Sequence, residues 1–121
     1  DGLPIVEKTS VEYKSTHEGC AHSCGHDGHI AIMTAFIEFI LNNVHKIPSN
    51  IRLRFLYQQA EEGGIGAKVM IDNGCLEEIN EIHGFHNYTS FNLNEVGLVK
   101  GPIMSCADFI TIEVKGKGGH G

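Results

Sequence analysis

The sequence predicts an α/β fold built on a mostly parallel sheet, and three stretches support this prediction. Residues 29–45 place apolar side chains around most of a helical circumference, which predicts a buried helix. The stretch IRLRFLYQ, residues 51–58, alternates apolar and polar side chains and predicts a strand. Residues 65–73 predict a second helix, which Gly74 would close. Strands that alternate with helices are typical of parallel sheets, so we expect these segments to belong to one such domain.

Three further stretches predict strands. Residues 82–86 (IHGFH) and 95–99 (EVGLV) each predict a short strand, whereas residues 108–115 alternate between two faces with a period of two. The last pattern suits a half-exposed antiparallel strand better than a parallel one. We therefore expect residues 1–105 to be part of one domain and residues 106–121 to begin a second domain.

Composition excludes several classes of function. The 121 residues are 41% hydrophobic and 20% charged, with a formal net charge of −6, as in ordinary globular proteins. Because no basic patch or Lys/Arg run is present, neither a nucleic acid nor an anionic membrane is expected as a partner. No apolar run has the length of a membrane span. The four cysteines do not form the pattern of a disulfide framework, which favours a reducing compartment and a cytoplasmic location.

The two ends of the sequence predict an internal fragment. The chain begins DGLPIV without an initiator Met, and it stops at KGKGGHG directly after a strand-like run. We therefore expect its helix and strands to pack normally against elements outside this chain. In isolation the fragment should expose apolar surface.

The polar residues that suggest chemistry fall in three clusters. Residues 22–29 read HSCGHDGH and lie on a loop that leads into the first predicted helix. Glu61 and Glu62 follow the first predicted strand, and His86 ends the second. Because sites in parallel sheets form at the carboxyl ends of strands, we expect the three clusters to meet at one edge. Cys, His and Glu are the usual ligands of zinc and related divalent ions.

Each cluster also has an ordinary structural explanation. Adjacent glutamates before a helix favour its positive N-terminal end, and a histidine at a strand end is commonly hydrogen-bonded. A second alternative is a structural zinc-binding module or an inactive interaction module. Its ligands would be Cys20, Cys24, His26 and His29. Such a module would make no use of the two glutamates or of His86.

Four motifs together resemble a known family. HSCGHDGH, QAEEGG, HGFH and VKGKGGHG, in this order, are similar to motifs of the metal-dependent amidohydrolase branch of the aminoacylase/carboxypeptidase metallopeptidases. The opening DGLPI resembles the DALPI segment of that branch, which includes N-acyl-amino-acid amidohydrolases, hippurate hydrolases and auxin-conjugate hydrolases. The resemblance covers essentially the whole chain. It implies part of a metallopeptidase catalytic domain with a mostly parallel sheet, followed by the first strand of an α+β lid or dimerisation domain.

The resemblance implies a role for each matching residue. The metal ligands would be Cys24, His26, Glu62 and His86. Glu61 would be the general base, His120 would bind the substrate, and Asp1 would orient the site without binding metal itself. The resemblance further implies two divalent ions (zinc, manganese or cobalt) and hydrolysis of the amide bond of small N-acyl amino acids by a metal-activated water. It also implies a homodimer formed through the lid domain.

Two positions depart from the family's motifs without removing a ligand. Ser23 stands where Ala is common, and Gln59 stands where Pro is common. The family's last histidine ligand, which lies far downstream, has no counterpart in this chain. Because successive side chains on extended backbone point in different directions, Glu62 is expected to bind metal while Glu61 faces the water.

Overall fold

The structure is a computed structural model that describes residues 1–120. Its regular elements are helix α1 (His26–Asn42), a 3₁₀ turn (Val44–Lys46) and helix α2 (Gly66–Asp72). The chain divides into two units, of which Asp1–Tyr88 contains all these elements and the second begins at Thr89. Neither α-helix is long and apolar enough to cross a membrane.

The predicted parallel sheet is absent from residues 1–120, so the prediction of an α/β fold is wrong for this chain. The only β pairing in this range is an isolated antiparallel bridge, in which the N–H groups of Leu3 and Ala21 each donate to the other's carbonyl, at 2.8 and 3.0 Å. Four segments predicted as strands lack regular structure, namely 51–58, 82–86, 95–99 and 108–115. Alternation records which side chains share a face, but a strand forms only when a second backbone supplies its hydrogen-bond partners.

Helix α1 begins three residues before the predicted start and ends at Asn42. Gly25 immediately precedes it with a φ of 85°, in the left-handed region that favours glycine. Asp27 lies in the first turn, where the helix dipole favours a negative charge. At the other end, the side chain of Asn43 donates to the Phe39 carbonyl at 2.8 Å. No residue of this helix is buried, so this chain supplies no cover for the apolar circumference that the sequence predicts.

Helix α2 ends in a Schellman motif, which confirms the predicted stop at Gly74. This glycine has a φ of 80°, and its N–H donates to the Ile71 carbonyl at 2.8 Å. The N–H of Cys75 donates to the Met70 carbonyl at 3.1 Å. The two bonds satisfy carbonyls that would otherwise have no partner at the end of the helix.

The large apolar side chains are mostly exposed, as the sequence led us to expect of this chain. Ala21 is the only buried hydrophobic residue among those described. Leu93 and Phe109, in the second unit, are both 92% exposed. In the first unit the rings of Phe36 and Phe55 meet edge to face, with centroids 6.0 Å apart, and join residues 51–58 to α1. Contacts of this kind between single pairs of side chains hold the segments together in place of a shared hydrophobic core.

We predict that the isolated 121-residue chain unfolds without a cooperative transition and binds the hydrophobic dye ANS. With one buried hydrophobic residue in residues 1–120, little apolar area is removed from water to offset the conformational entropy of the chain. Thermal denaturation followed by far-UV circular dichroism, together with ANS fluorescence, measures both properties. The guanidinium-unfolded chain provides the baseline. A steep sigmoidal transition without dye binding would contradict this prediction.

Candidate metal centre

The three polar clusters of the sequence meet within the first unit. Ligand atoms of Cys24, His26 and His86 lie within 4.8 Å of one another, and so do those of His26, Glu61 and Glu62. His26 belongs to both groups and joins them. The structure therefore brings together all four residues expected to bind metal and the expected general base. It does so without the sheet edge that was expected to position them.

The separations between these atoms suit the coordination of a metal ion. His26 Nε2 lies 3.6 Å from Glu61 Oε2 and 3.7 Å from Glu62 Oε1, beyond the usual hydrogen-bond range of about 2.7–3.2 Å. Cys24 Sγ lies 3.7 Å from His86 Nε2. Ligand bonds of about 2.0–2.3 Å in a tetrahedral site place neighbouring ligand atoms about 3.3–3.8 Å apart. The donor types and their spacing therefore fit a divalent ion such as zinc.

His26 is placed by the turn that starts α1. Its side chain is only 12% exposed, and its Nε2 faces the two glutamates. The backbone nitrogen of Asp1 lies 3.2 Å from its other ring nitrogen, Nδ1. The left-handed conformation of Gly25 reverses the chain between Cys24 and His26, so both side chains reach the same space.

His86 is held in the tautomer that can bind a metal through Nε2. Its Nδ1–H donates to the carbonyl oxygen of Asn87 at 2.6 Å. A carbonyl can only accept, so the proton of a neutral imidazole resides on Nδ1 and Nε2 keeps its lone pair. Metal-binding histidines are commonly oriented by a hydrogen bond of this kind.

Glu61 and Glu62 lie in a turn and not on the extended backbone expected from the sequence. The N–H of Gly64 donates to the Glu61 carbonyl at 2.9 Å, and the N–H of Gly66 donates to the Ala60 carbonyl at 3.2 Å. Ala60 has a φ of 49°, in the left-handed region that residues other than glycine rarely adopt. Both carboxylates consequently face the same imidazole. Exposure distinguishes them, at 57% for the side chain of Glu61 and 32% for that of Glu62.

The carboxylate of Asp1 fastens this turn. Its Oδ1 accepts the N–H of Ala60 at 2.9 Å, and its Oδ2 accepts the N–H of Glu62 at 3.0 Å. Hydrogen bonds to a charged acceptor are stronger than those between neutral groups, which helps to offset the strain at Ala60. Asp1 belongs to neither group of ligand atoms. It therefore contacts the backbone that carries the glutamates.

The Cys24 thiol is held in its protonated form by its surroundings. Burial raises the pKa of this thiol, and the hydrogen bond and negative charge of Glu62 raise the pKa further. A metal ion binds the thiolate, so coordination at this position releases the thiol proton. Metal affinity should consequently increase with pH until the pKa of the thiol is passed.

The alternative zinc site is not assembled in the described part of the chain. Cys20 and His29 belong to neither group of ligand atoms. Gly2 packs on Cys20, because a Cβ at this glycine would lie 2.7 Å from the cysteine sulfur. His29 Nε2 is engaged by Asn87, whose Oδ1 lies 2.6 Å away.

Two residues complete the comparison of sequence and structure. His120 is exposed and falls in the second unit, and its role in binding substrate stays a prediction. Asn87 contacts both His29 and His86 but was missed by the sequence analysis. The only sequence signal is its position directly after His86, and an asparagine at that position has no chemical signature of its own.

Comparison with known proteins gives a consistent family assignment. The sequence pattern of peptidase family M20/M25/M40 matches residues 1–119. The chain is 41% identical over 120 residues to N-acetyl-L-cysteine deacetylase of Bacillus subtilis (strain 168), covering 99% of this chain and 28% of that protein. It is 36% identical over 126 residues to N-acyl-L-amino acid amidohydrolase of Geobacillus stearothermophilus, covering 100% of this chain and 32% of that protein.

A third relative is hippurate hydrolase of Campylobacter jejuni subsp. jejuni serotype O:2, at 37% identity over 123 residues, or 100% of this chain and 31% of that protein. The chain thus spans about three-tenths of the length of the curated relatives that it matches. No solved structure matches the chain significantly.

We predict that Asp1→Ala accelerates amide hydrogen exchange at Ala60 and Glu62 by about tenfold, the low end expected for a hydrogen bond to a charged group that contributes about 1.5–3 kcal/mol. Asp1→Asn keeps one carbonyl oxygen and should protect one of the two amides. Exchange measured by NMR reports each amide separately. The Asn73 amide, which donates to the Val69 carbonyl in α2, is the internal control. Equal exchange in wild type and Asp1→Ala at both amides would show that the carboxylate does not hold the turn.

Proposed function

The chain belongs to peptidase family M20/M25/M40, and on that premise we propose that the protein hydrolyses the amide bond of N-acyl amino acids. The observation that carries this proposal is the convergence of a thiol, a second imidazole and two carboxylates around His26. The names of the relatives support the substrate class, since they refer to N-acetylcysteine, N-acyl amino acids and hippurate.

We assign Cys24, His26, Glu62 and His86 as metal ligands. Glu62 is the more buried glutamate, and it contacts both His26 and the Cys24 thiol. The two groups of donors support two divalent ions. His26 belongs to both groups, but its Nε2 can bind only one ion, and each ion needs several ligands. Completing both coordination spheres therefore requires donors beyond these residues. Imidazole and carboxylate ligands suit zinc, manganese and cobalt.

The remaining residues perform the proton transfers and bind the substrate. A bound divalent ion would polarise the scissile carbonyl and lower the pKa of a water molecule. Glu61, the more exposed carboxylate, accepts the proton of the attacking water and delivers it to the leaving amine. His120 donates a hydrogen bond to a carbonyl or carboxylate of the substrate, an assignment supported by the VKGKGGHG motif. Asp1 keeps Glu61 in place through the backbone of the turn.

Three further parts of the proposal rest on the sequence. Residues 1–105 form part of the catalytic domain, and residues 106–121 begin a lid domain through which the protein dimerises. The substrate is a small molecule, and no nucleic acid or membrane takes part. The protein acts in the cytoplasm, as the four cysteines without a disulfide pattern suggest.

We predict that Cys24→Ser and His86→Ala both lower the metal affinity of the complete protein by more than about 100-fold, the upper range for residues that only orient a ligand. Metal content after dialysis against a weak chelator, measured by elemental analysis, tests the assignment. Cys75→Ser is the matched control, since Cys75 is a free cysteine that lies in neither ligand group. Unchanged metal content in both variants would refute the assignment. Loss of metal in Cys20→Ser with no loss in His86→Ala would instead support the structural zinc site.

We predict that Glu61→Gln keeps its metal and loses turnover, whereas Glu62→Gln loses metal affinity. General acid–base catalysis contributes about 10²–10⁴-fold, so kcat of Glu61→Gln should fall by about that factor with little change in KM. Excess metal should restore part of the activity of Glu62→Gln. Hydrolysis of N-acetyl and N-benzoyl amino acids by the complete protein, with metal content measured in parallel, distinguishes the two residues. The opposite pattern would mean that their roles are reversed.

A further inference from the structure

His29 and Asn87 form a contact behind the candidate metal centre to which the proposed reaction assigns no role. Both Asn87 Oδ1 and the Asn87 backbone nitrogen approach His29 Nε2, at 2.6 and 3.0 Å. The two residues are 58 positions apart in the sequence. We refer to this contact as the His29–Asn87 clasp.

The clasp joins the two halves of the ligand group that contains Cys24, His26 and His86. His29 lies in the first turn of α1, three residues after His26. Asn87 directly follows His86 and accepts its Nδ1–H through the backbone carbonyl at 2.6 Å. The residue that fixes the tautomer of His86 is therefore itself held by α1.

The clasp has a specific place to form. A Cβ at Gly25 would overlap the carboxamide of Asn87, so the absence of a side chain there lets Asn87 lie against the start of the helix. The His29 ring also packs edge to face on His86, with centroids 4.5 Å apart, and on Phe85, with centroids 6.1 Å apart. His29 thus contacts three consecutive residues of this segment.

Residues 82–86 need such a tie because they pair with no strand in the described chain. A ladder of backbone hydrogen bonds would otherwise fix their position. In its absence, side-chain contacts decide where His86 lies relative to Cys24 and His26.

The hydrogen bonding also shows that Nε2 of His29 is not available to a metal. One ring nitrogen cannot both accept the Asn87 N–H and donate to the carboxamide oxygen. The carboxamide oxygen and nitrogen exchange places in a half-turn that leaves the heavy atoms where they are. In that orientation the side-chain NH₂ and the backbone N–H of Asn87 both donate towards the lone pair of His29 Nε2.

We propose that His29 and Asn87 are a positioning pair that sets the tautomer and location of His86 for metal binding. This inference rests on the proposed function in one respect, namely that His86 is a ligand. The pair acts on the ligand through the peptide of Asn87, and both of its members lie outside the two ligand groups.

The test compares His29→Leu with His29→Gln in the complete protein. The apparent Kd for Zn²⁺ is measured by competition with a chromophoric chelator, and the electronic spectrum of the Co²⁺ form reports the ligands. His29→Leu should weaken Zn²⁺ binding by about 10–100-fold and alter the Co²⁺ spectrum, as expected on loss of an orienting partner. His29→Gln places an amide close to the position of Nε2 and should recover most of the affinity.

The control is His83→Leu, because His83 is 84% exposed, belongs to neither ligand group and lies 3.2 Å from the nearby Glu81 carboxylate. It should leave both measurements unchanged. Unchanged Zn²⁺ affinity in His29→Leu would overturn the proposal, and so would an equal loss in the Leu and Gln variants. The first result would show that the clasp is dispensable, and the second that His29 acts as a ligand or only by packing.

A measurement without metal separates this inference from the proposed function. The ring ¹⁵N chemical shifts of His86 identify its tautomer in the metal-free protein. Wild type should carry the proton on Nδ1, and His29→Leu should shift the population towards Nε2–H. If the wild-type protein binds no metal, the proposed function fails, but the ¹⁵N shifts still decide the pairing. An unchanged His86 tautomer in His29→Leu would overturn the proposal that His29 and Asn87 set this tautomer.

Discussion

The carboxylate of Asp1 accepts hydrogen bonds from two backbone N–H groups of the turn that carries Glu61 and Glu62. The arrangement of the candidate metal centre depends on this contact. Turn backbone gains no hydrogen bonds from a helix or sheet ladder, yet ordering each residue costs about 1–2 kcal/mol of conformational entropy. Ala60 adds strain through its positive φ. Two charge-assisted hydrogen bonds to one side chain help to offset both costs. Because both hydrogen bonds come from one turn, they also fix the backbone positions of the two glutamates jointly.

The centre concentrates negative charge that the chain does not neutralise. Glu61 and Glu62 both lie near His26, and no lysine or arginine of the described chain forms an ion pair with either. The three positively charged side chains that do form ion pairs do so elsewhere, at Glu78, Asp72 and Glu113. Carboxylates held close together repel each other unless a proton or a cation intervenes. A divalent ion bound by these donor types would reduce the repulsion between the two carboxylates.

Sequence reasoning succeeded where a local pattern carries its own cause. Gly74 ends α2 because a left-handed residue is required there. The ligand residues could be recognised because each carries a metal-binding side chain. The prediction of a parallel sheet failed because alternation in residues 51–58 specifies which side chains share a face but does not specify a partner strand. Helix α1 is uncovered for the same reason, since periodicity shows which side chains are apolar but not what covers them. Asn87 was missed because it acts on His86 through a backbone carbonyl, which every residue possesses.

Opposing effects at Cys24 connect metal binding with proton release. The start of α1 favours a thiolate through the partial positive charge of its N–H groups. Burial acts against it, and so do the hydrogen bond and charge of Glu62, with the result that the pKa of the thiol is raised. The thiol therefore remains protonated until an ion with sufficient charge replaces its proton. The same Glu62 that disfavours the free thiolate is placed to bind that ion, so the residue opposing ionisation without metal supports it when metal is present.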